Sequence, residues 1–377
     1  MKKILYIFDV DPMIAGGAQN SMNIIIDSLK DEFEFFCITP ETEAEYKRHY
    51  KIYDYSDFFI RKDIKSLYKL FKLAFSFRKA IDEIQPDIIH IQMPGSIMIL
   101  SIMVRLGLIN KKIKLIYTDR SVLDKYSKKS YLLIGNLINR LDKIITTTEY
   151  NRELYLKNFK INNSKVDVIS NTAGHIYEIY DIELKKKLRK RHNIADNEMV
   201  LGFYGRVFKD KNWPLSIEVI EKLRKLYKFK VVLVLGTDGT KENNYECNQI
   251  IESVKKINGE ENVKVFKNLS LEETSYIYYL SDITIMTSSI ESFGRVAVEG
   301  MSRKNIVFGT KVDGLQEVIG EEENLFYTSD ELVTKIEKYF KNNYECISQK
   351  EKCYKRFKEK YSLEKNKYLH SILYTEI

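Results

Sequence analysis

The sequence is sparing with cysteine, proline and glycine, and it contains no long apolar run. Its four cysteines, Cys37, Cys247, Cys346 and Cys353, lie far apart, with no C-x-x-C pair and no histidine at ligand spacing. That excludes a disulfide framework and a structural zinc, and it fits a reducing cytoplasm. The longest apolar stretch, Ser96 to Ile109, is interrupted by Arg105 and is too short to span a bilayer. Met1-Lys2-Lys3 runs straight into a strand-like segment, without the apolar core and cleavage site of a signal peptide. A cytoplasmic protein is expected. There is no G-x-G-x-x-G, no internal repeat and no nucleic-acid-binding motif.

What is present is an ordinary globular composition, 44% hydrophobic and 30% charged. A length of 377 residues favours two domains. Lys and Arg total 61 against 53 Asp and Glu, a net charge of +8. That excess suits an anionic small molecule or an anionic membrane surface, and no nucleic acid is expected as partner. Short β-branched runs alternate with helical patterns, and they do so twice. Strands are expected at Ile4–Phe8, Phe33–Ile38, Asp87–Ile91, Ile113–Tyr117, Lys143–Thr147 and Val166–Ser170. A second series runs Met199–Phe203, Lys230–Leu235, Val263–Phe266, Asp282–Met286 and Asn305–Phe308. The fold class expected is α/β: two doubly wound Rossmann-like domains facing a cleft, with C-terminal helices returning to the first. The expected boundaries are a first domain over 1–170, a linker over 171–196, a second domain over 197–355 and a helical tail over 356–377.

The glycines, only 16, sharpen this reading. Ten are expected in or beside the loops that follow the strands: Gly16 and Gly17, Gly202 and Gly205, Gly236 and Gly239, Gly294 and Gly300, Gly309 and Gly314. Such loops form the carboxyl edge of the strands, where doubly wound sheets bind ligands. In the loop from Gly205 to Pro214, Arg206 and Lys211 flank an opening helix with Asn212 at its N-cap. Two cations beside a helix N-terminus can balance a pyrophosphate. In the segment Ser288 to Gly300, Glu291 stands in the loop and Glu299 eight positions on. Loop amides would meet an anion there while the carboxylates accept from hydroxyls. A ligand with phosphates in the middle and polyols at both ends, a nucleotide-sugar, satisfies this arrangement.

Taken in order, these motifs resemble the retaining glycosyltransferases of family four, which have the GT-B fold. "GGAQNSMNIIIDSL", "PDIIHIQ", "DKIITTTEYNRELY", "FYGRVFKDKN", "VLGTDG", "SSIESFGRVAVEGM" and "DGLQEVI" each have a counterpart in that family. The resemblance implies that Arg206 and Lys211 bind the donor diphosphate and stabilise it as leaving group. It implies that Glu291 contacts the transferred sugar and Glu299 the ribose. Amides of Phe293, Gly294, Arg295 and Val296 would touch the phosphates and sugar, Ser292 would belong to the same donor site, and Gly16 and Gly17 would approach it from the first domain. Family members need no metal, so no metal or other cofactor is expected. The donor implied is a UDP-sugar. The acceptor implied is a glycan, a lipid-linked glycan or a protein, in synthesis of a surface glycan or glycoprotein.

One departure concerns the acceptor side. Many relatives carry a histidine after the strand that ends here near Tyr117, where this chain reads Thr118-Asp119-Arg120-Ser121. Asp119 or Arg120 is expected to take that place near the acceptor, unless the role is absent. The missing histidine leaves open a second reading, a non-catalytic partner subunit of a transferase pair; an epimerase on the same fold is the third. His90, inside an apolar strand, is expected to be a satisfied core residue. Between Arg61 and Lys79, Lys62, Lys65, Lys69 and Lys72 recur at helical spacing. Leu67, Leu70, Phe71, Ala74 and Phe75 occupy another face, expected to cover the sheet, while the basic face is either simply solvated or meets an anionic membrane.

Overall fold

The structure is a computed structural model that describes residues 1–13, 16–40, 42, 48–51, 67–92 and 94–377. It divides into two compact units, Met1–Ser170 with Asn366–Ile377, and Asn171–Lys365. The first unit runs β1 (Lys3–Ile7), α1 (Gly17–Leu29), β2 (Glu34–Thr39), β3 (His49–Lys51), α2 (Leu67–Ile84), β4 (Ile88–Ile91) and α3 (Pro94–Arg105). It continues through β5 (Lys114–Asp119), α4 (Lys128–Ile138), β6 (Lys143–Thr146), α5 (Glu149–Phe159) and β7 (Val166–Val168). The sheet order is β3-β2-β1-β4-β5-β6-β7, and every pairing is parallel. The order reverses beside β1, as in a doubly wound sheet.

Alternation along the strands explains why both faces of this sheet are apolar. Leu5 and Ile7 pack with Leu73, Phe77 and Ile81 of α2, whereas Ile4, Tyr6 and Phe8 pack with Met22, Ile25 and Leu29 of α1. The face of α2 turned inward differs from the expected one. Leu73, Ala74, Phe77, Ala80, Ile81 and Ile84 form a buried stripe at helical spacing, and Phe71 and Phe75 are exposed. Lys62 and Lys65, and the side chains of Leu67, Lys69 and Leu70, lie outside the described residues. Among the described residues no helix is long and apolar enough to cross a membrane.

The second unit runs α6 (Ile182–Arg191), β8 (Val200–Arg206), α7 (Trp213–Arg224), β9 (Lys230–Gly236), α8 (Lys241–Asn258), β10 (Val263–Lys267) and α9 (Leu271–Ile277). It continues through β11 (Ile283–Met286), α10 (Arg295–Ser302), β12 (Ile306–Thr310), α11 (Leu315–Ile319), β13 (Leu325–Phe326), α12 (Ser329–Lys341) and α13 (Asn343–Arg356). Its parallel sheet has the order β10-β9-β8-β11-β12-β13. The residues 171–196, expected as a linker, are part of this unit. Ala173, Tyr177 and Ile194 are buried in its core, and Arg189 of α6 donates to Asp282 at 2.9 Å. Lysines on the outer face of α6 make that segment read as solvated.

The chain returns to the first unit at Asn366, within α14 (Leu363–Glu376), so residues 356–365 of the expected tail belong to the second unit. There Tyr374 joins a buried network. Its hydroxyl lies 2.5 Å from the Tyr6 hydroxyl and 2.7 Å from His90 Nδ1, while His90 Nε2 lies 2.7 Å from Thr118 Oγ1. His90 is thus a core histidine with both ring nitrogens engaged. Burial first, then His370 and Arg120, hold its pKa well below the ordinary imidazole value. Tyr374→Phe removes one hydroxyl and leaves the 3.0 Å contact between Tyr6 and His90. The expected cost is about 1–2 kcal/mol, read as a lower midpoint in urea unfolding; an unchanged midpoint would show that the hydroxyl contributes nothing.

Candidate active site

Three loops at the carboxyl edge of the second sheet converge. After β8, a short 3-10 turn at Lys209–Lys211 leads to Asn212 and α7. Asn212 stands at the N-cap position as expected, but it has φ 50° and its side chain makes no capping bond. The Trp213 indole donates instead to the Arg206 carbonyl at 3.0 Å, closing the loop on itself. The loop after β11 is tied to it. Ser289 N–H donates to the Asp210 carbonyl at 2.8 Å, and the Thr287 hydroxyl donates to the Lys211 carbonyl at 2.9 Å. The loop after β12 joins through Asp313, which accepts from the Glu291 N–H at 3.1 Å.

This lacing brings Lys211 and Glu291 into contact, Nζ to Oε2 at 2.5 Å, with both side chains mostly buried. Sequence alone treats them as separate contacts to two parts of a ligand; in the fold each is the other's counterion. Glu291 is followed by Ser292 and by Phe293, which is buried against Tyr361. Gly294 has φ 89°, and a Cβ there would lie 2.6 Å from Leu315, so only glycine fits at this turn. Arg295 and Val296 then open α10, and their N–H groups have no carbonyl one turn back.

Glu299 is buried inside α10. Tyr278 donates to its Oε2 at 2.9 Å, and the Arg295 guanidinium lies 3.6 Å from its Oε1. Burial raises its pKa, opposed chiefly by Arg295 and by the Tyr278 hydroxyl. Tyr278 is itself stacked on Tyr204 at 3.9 Å between centroids. Nothing in the sequence pattern singles out Tyr278, which lies 21 residues before Glu299 on a different element. Arg206 is exposed at the end of β8, its guanidinium over the Phe208 ring at 4.7 Å.

The remaining expected residues lie in the first unit. Gly16 precedes α1 in extended conformation, and a Cβ at Gly17 would meet nothing within 4 Å. Backbone conformation therefore does not demand this glycine pair. Asp119, expected on the acceptor side, ends β5 inside the first unit. It is buried, and its carboxylate accepts from the hydroxyls of Tyr126 and Tyr155, each at 2.6 Å, and from the Ser121 N–H at 2.9 Å. Those bonds brace the chain after β5 against α5. Among the described residues no group of three or more His, Cys, Asp or Glu could hold a metal ion.

Two Rossmann-like units, each built on a parallel sheet, have the architecture of the GT-B glycosyltransferases. Residues 15–173 match the profile described as Glycosyltransferase Family 4, and residues 185–360 match that described as Glycosyl transferases group 1. The chain is built from these two domains. It is 23% identical over 319 residues to an uncharacterised 41.2 kDa protein in the cps region of Klebsiella pneumoniae, covering 82% of this chain and 81% of that one. It is 24% identical over 181 residues to the lipopolysaccharide 1,2-N-acetylglucosaminetransferase of Salmonella typhimurium, covering 47% of this chain and 46% of that enzyme. The solved structure of Anabaena HepE in complex with UDP and glucose shares the fold over 100% of both chains, with a TM-score of 0.80 and 16% identity.

Proposed function

We infer that the protein transfers a hexose or N-acetylhexosamine from a UDP-sugar, with retention and without a metal, to a glycan, a lipid-linked glycan or a protein. The observation that carries this reading is the Lys211–Glu291 pair beside the open N–H groups of α10. A donor diphosphate binds the helix N-terminus and Lys211, with Arg206 swinging from Phe208 to join it. The sugar hydroxyls donate to Glu291. The ribose hydroxyls donate to Glu299 through Oε1, since Oε2 already accepts from Tyr278. As the bond between the anomeric carbon and the diphosphate oxygen breaks, negative charge grows on the diphosphate, and the cations act there. Gly17, where a Cβ would meet nothing, and Gly16, where a Cβ would press on the Gln19 carboxamide, suit close approach of a ligand. The UDP held by HepE supports the choice of base. A peripheral position at an anionic membrane belongs to the same proposal, supported by exposed Phe71 and Phe75 next to Lys72 and Lys79 on α2.

A panel of nucleotide-sugars read by thermal unfolding tests the donor. Binding to the folded state at one hundred times Kd adds about 2.7 kcal/mol, roughly 5–10 °C for a domain of this size. UDP-sugars are expected to stand out from GDP-, ADP- and CMP-sugars. A flat panel would remove the donor reading.

A further inference from the structure

Arg295 is poorly satisfied where it stands. Its Nε is buried with no hydrogen-bond partner, and its terminal nitrogen reaches the Ala173 carbonyl only at 3.5 Å. At 3.6 Å the Glu299 carboxylate is an ion-pair neighbour but too far for a good hydrogen bond. A guanidinium carries five donors in a rigid fork suited to phosphate or carboxylate oxygens. Here it is mostly buried, yet it makes no short bond to an acceptor. A second donor in the same cluster, the buried hydroxyl of Tyr177, also has no partner. Buried donors are nearly always paired, so unpaired ones mark an acceptor that arrives from outside. The position narrows what that acceptor is. Arg295 is the first residue of α10 and lies one helical turn before Glu299. A group that meets both the helix N-terminus and this guanidinium is anionic, and one that adjoins Glu299 adjoins the ribose.

We propose that the side chain of Arg295 binds the donor phosphate next to the ribose, leaving Glu299 as it does so and freeing that carboxylate for the ribose hydroxyls. This rests on the donor reading above and adds to it a third cation, beyond Arg206 and Lys211. Without the phosphate Arg295 is the counterion of Glu299; with donor bound, the phosphate takes the guanidinium and the ribose takes the carboxylate. No net charge is left stranded in either state.

The test is calorimetric binding of uridine, UMP and UDP to the native protein, Arg295→Met and Arg295→Lys. Methionine keeps an apolar stem and removes the charge. It is expected to weaken UMP and UDP about tenfold, the scale of one charged hydrogen bond, and to spare uridine, which has no phosphate. Lysine restores part of the loss. Equal weakening of all three ligands would mean that Arg295 only supports Glu299, and unchanged affinities would mean that it does not meet the ligand; either overturns the proposal while the donor reading stands. A native protein that binds none of the three overturns both.

Discussion

Lys211→Ala is expected to lower turnover by about 10²-fold or more, with the fold intact. The ammonium sits 2.5 Å from Glu291, and in the proposed reading it meets the donor diphosphate. Its attraction for the diphosphate increases as the leaving group takes up charge, so its loss is felt most in the transition state. Alanine also leaves Glu291 mostly buried without its counterion and facing incoming phosphates of like charge. Glu291→Gln is the milder companion. It keeps the size and removes a charged acceptor, with an expected fall of roughly tenfold to a hundredfold. The two separate further in binding: UDP affinity should drop in Lys211→Ala and stay near native in Glu291→Gln, because UDP carries no sugar. Product formation by purified protein, beside calorimetry with UDP, reads both. Native kinetics in both variants would refute the catalytic assignment, and lost UDP affinity in Glu291→Gln would move that residue to the nucleotide.

Asp282→Asn is expected to destabilise the second unit by about 3–5 kcal/mol. Asp282, at the start of β11, accepts from Lys185 at 3.3 Å, Arg189 at 2.9 Å and Lys350 at 2.7 Å. The side chains of Lys185 and Arg189 are themselves almost fully buried, so neutralising the acid leaves buried cations without a counterion. Burial pushes the Asp282 carboxyl upward, but Lys185, Lys350 and Arg189 outweigh it and hold it well below the ordinary carboxylate range. A carboxyl whose folded pKa is depressed contributes stability above its unfolded pKa, about 3.9, and loses it as pH falls towards the folded value. The native protein should therefore exceed Asp282→Asn most at neutral pH, with the gap narrowing below about pH 4. Urea unfolding of both proteins at pH 7 and pH 3 checks this. An equal gap at the two pH values would discount the ion cluster.

The strands were legible in proportion to their burial. Central strands such as β4 and β9 are runs of Ile, Val and Leu because helices cover both their faces. The edge strands β3 and β13, of three and two residues, have no such run and were not anticipated. The loops of the candidate site could be read because glycine is rare enough in this chain to stand out where it occurs. What pairs with what could not. That Lys211 meets Glu291, or that Tyr278 and Arg295 surround Glu299, depends on three loops meeting through backbone hydrogen bonds that leave no trace in residue type. The partners of Asp119 were equally illegible: nothing in the residue types shows that the hydroxyls of Tyr126 and Tyr155 both meet its carboxylate.

The return of α14 has a consequence for how the molecule is made. Leu373 and Tyr374 complete the apolar cluster that contains Ile4, Tyr6, Met22 and Ile25, yet residues 171–365 are polymerised between them. A nascent chain therefore exposes part of that cluster throughout synthesis of the entire second unit, which needs nothing downstream of Lys365. Domains usually fold in the order in which they leave the ribosome. Here the domain begun first is the one finished last, and during translation its uncovered Tyr6 and His90 are the surface most in need of a chaperone.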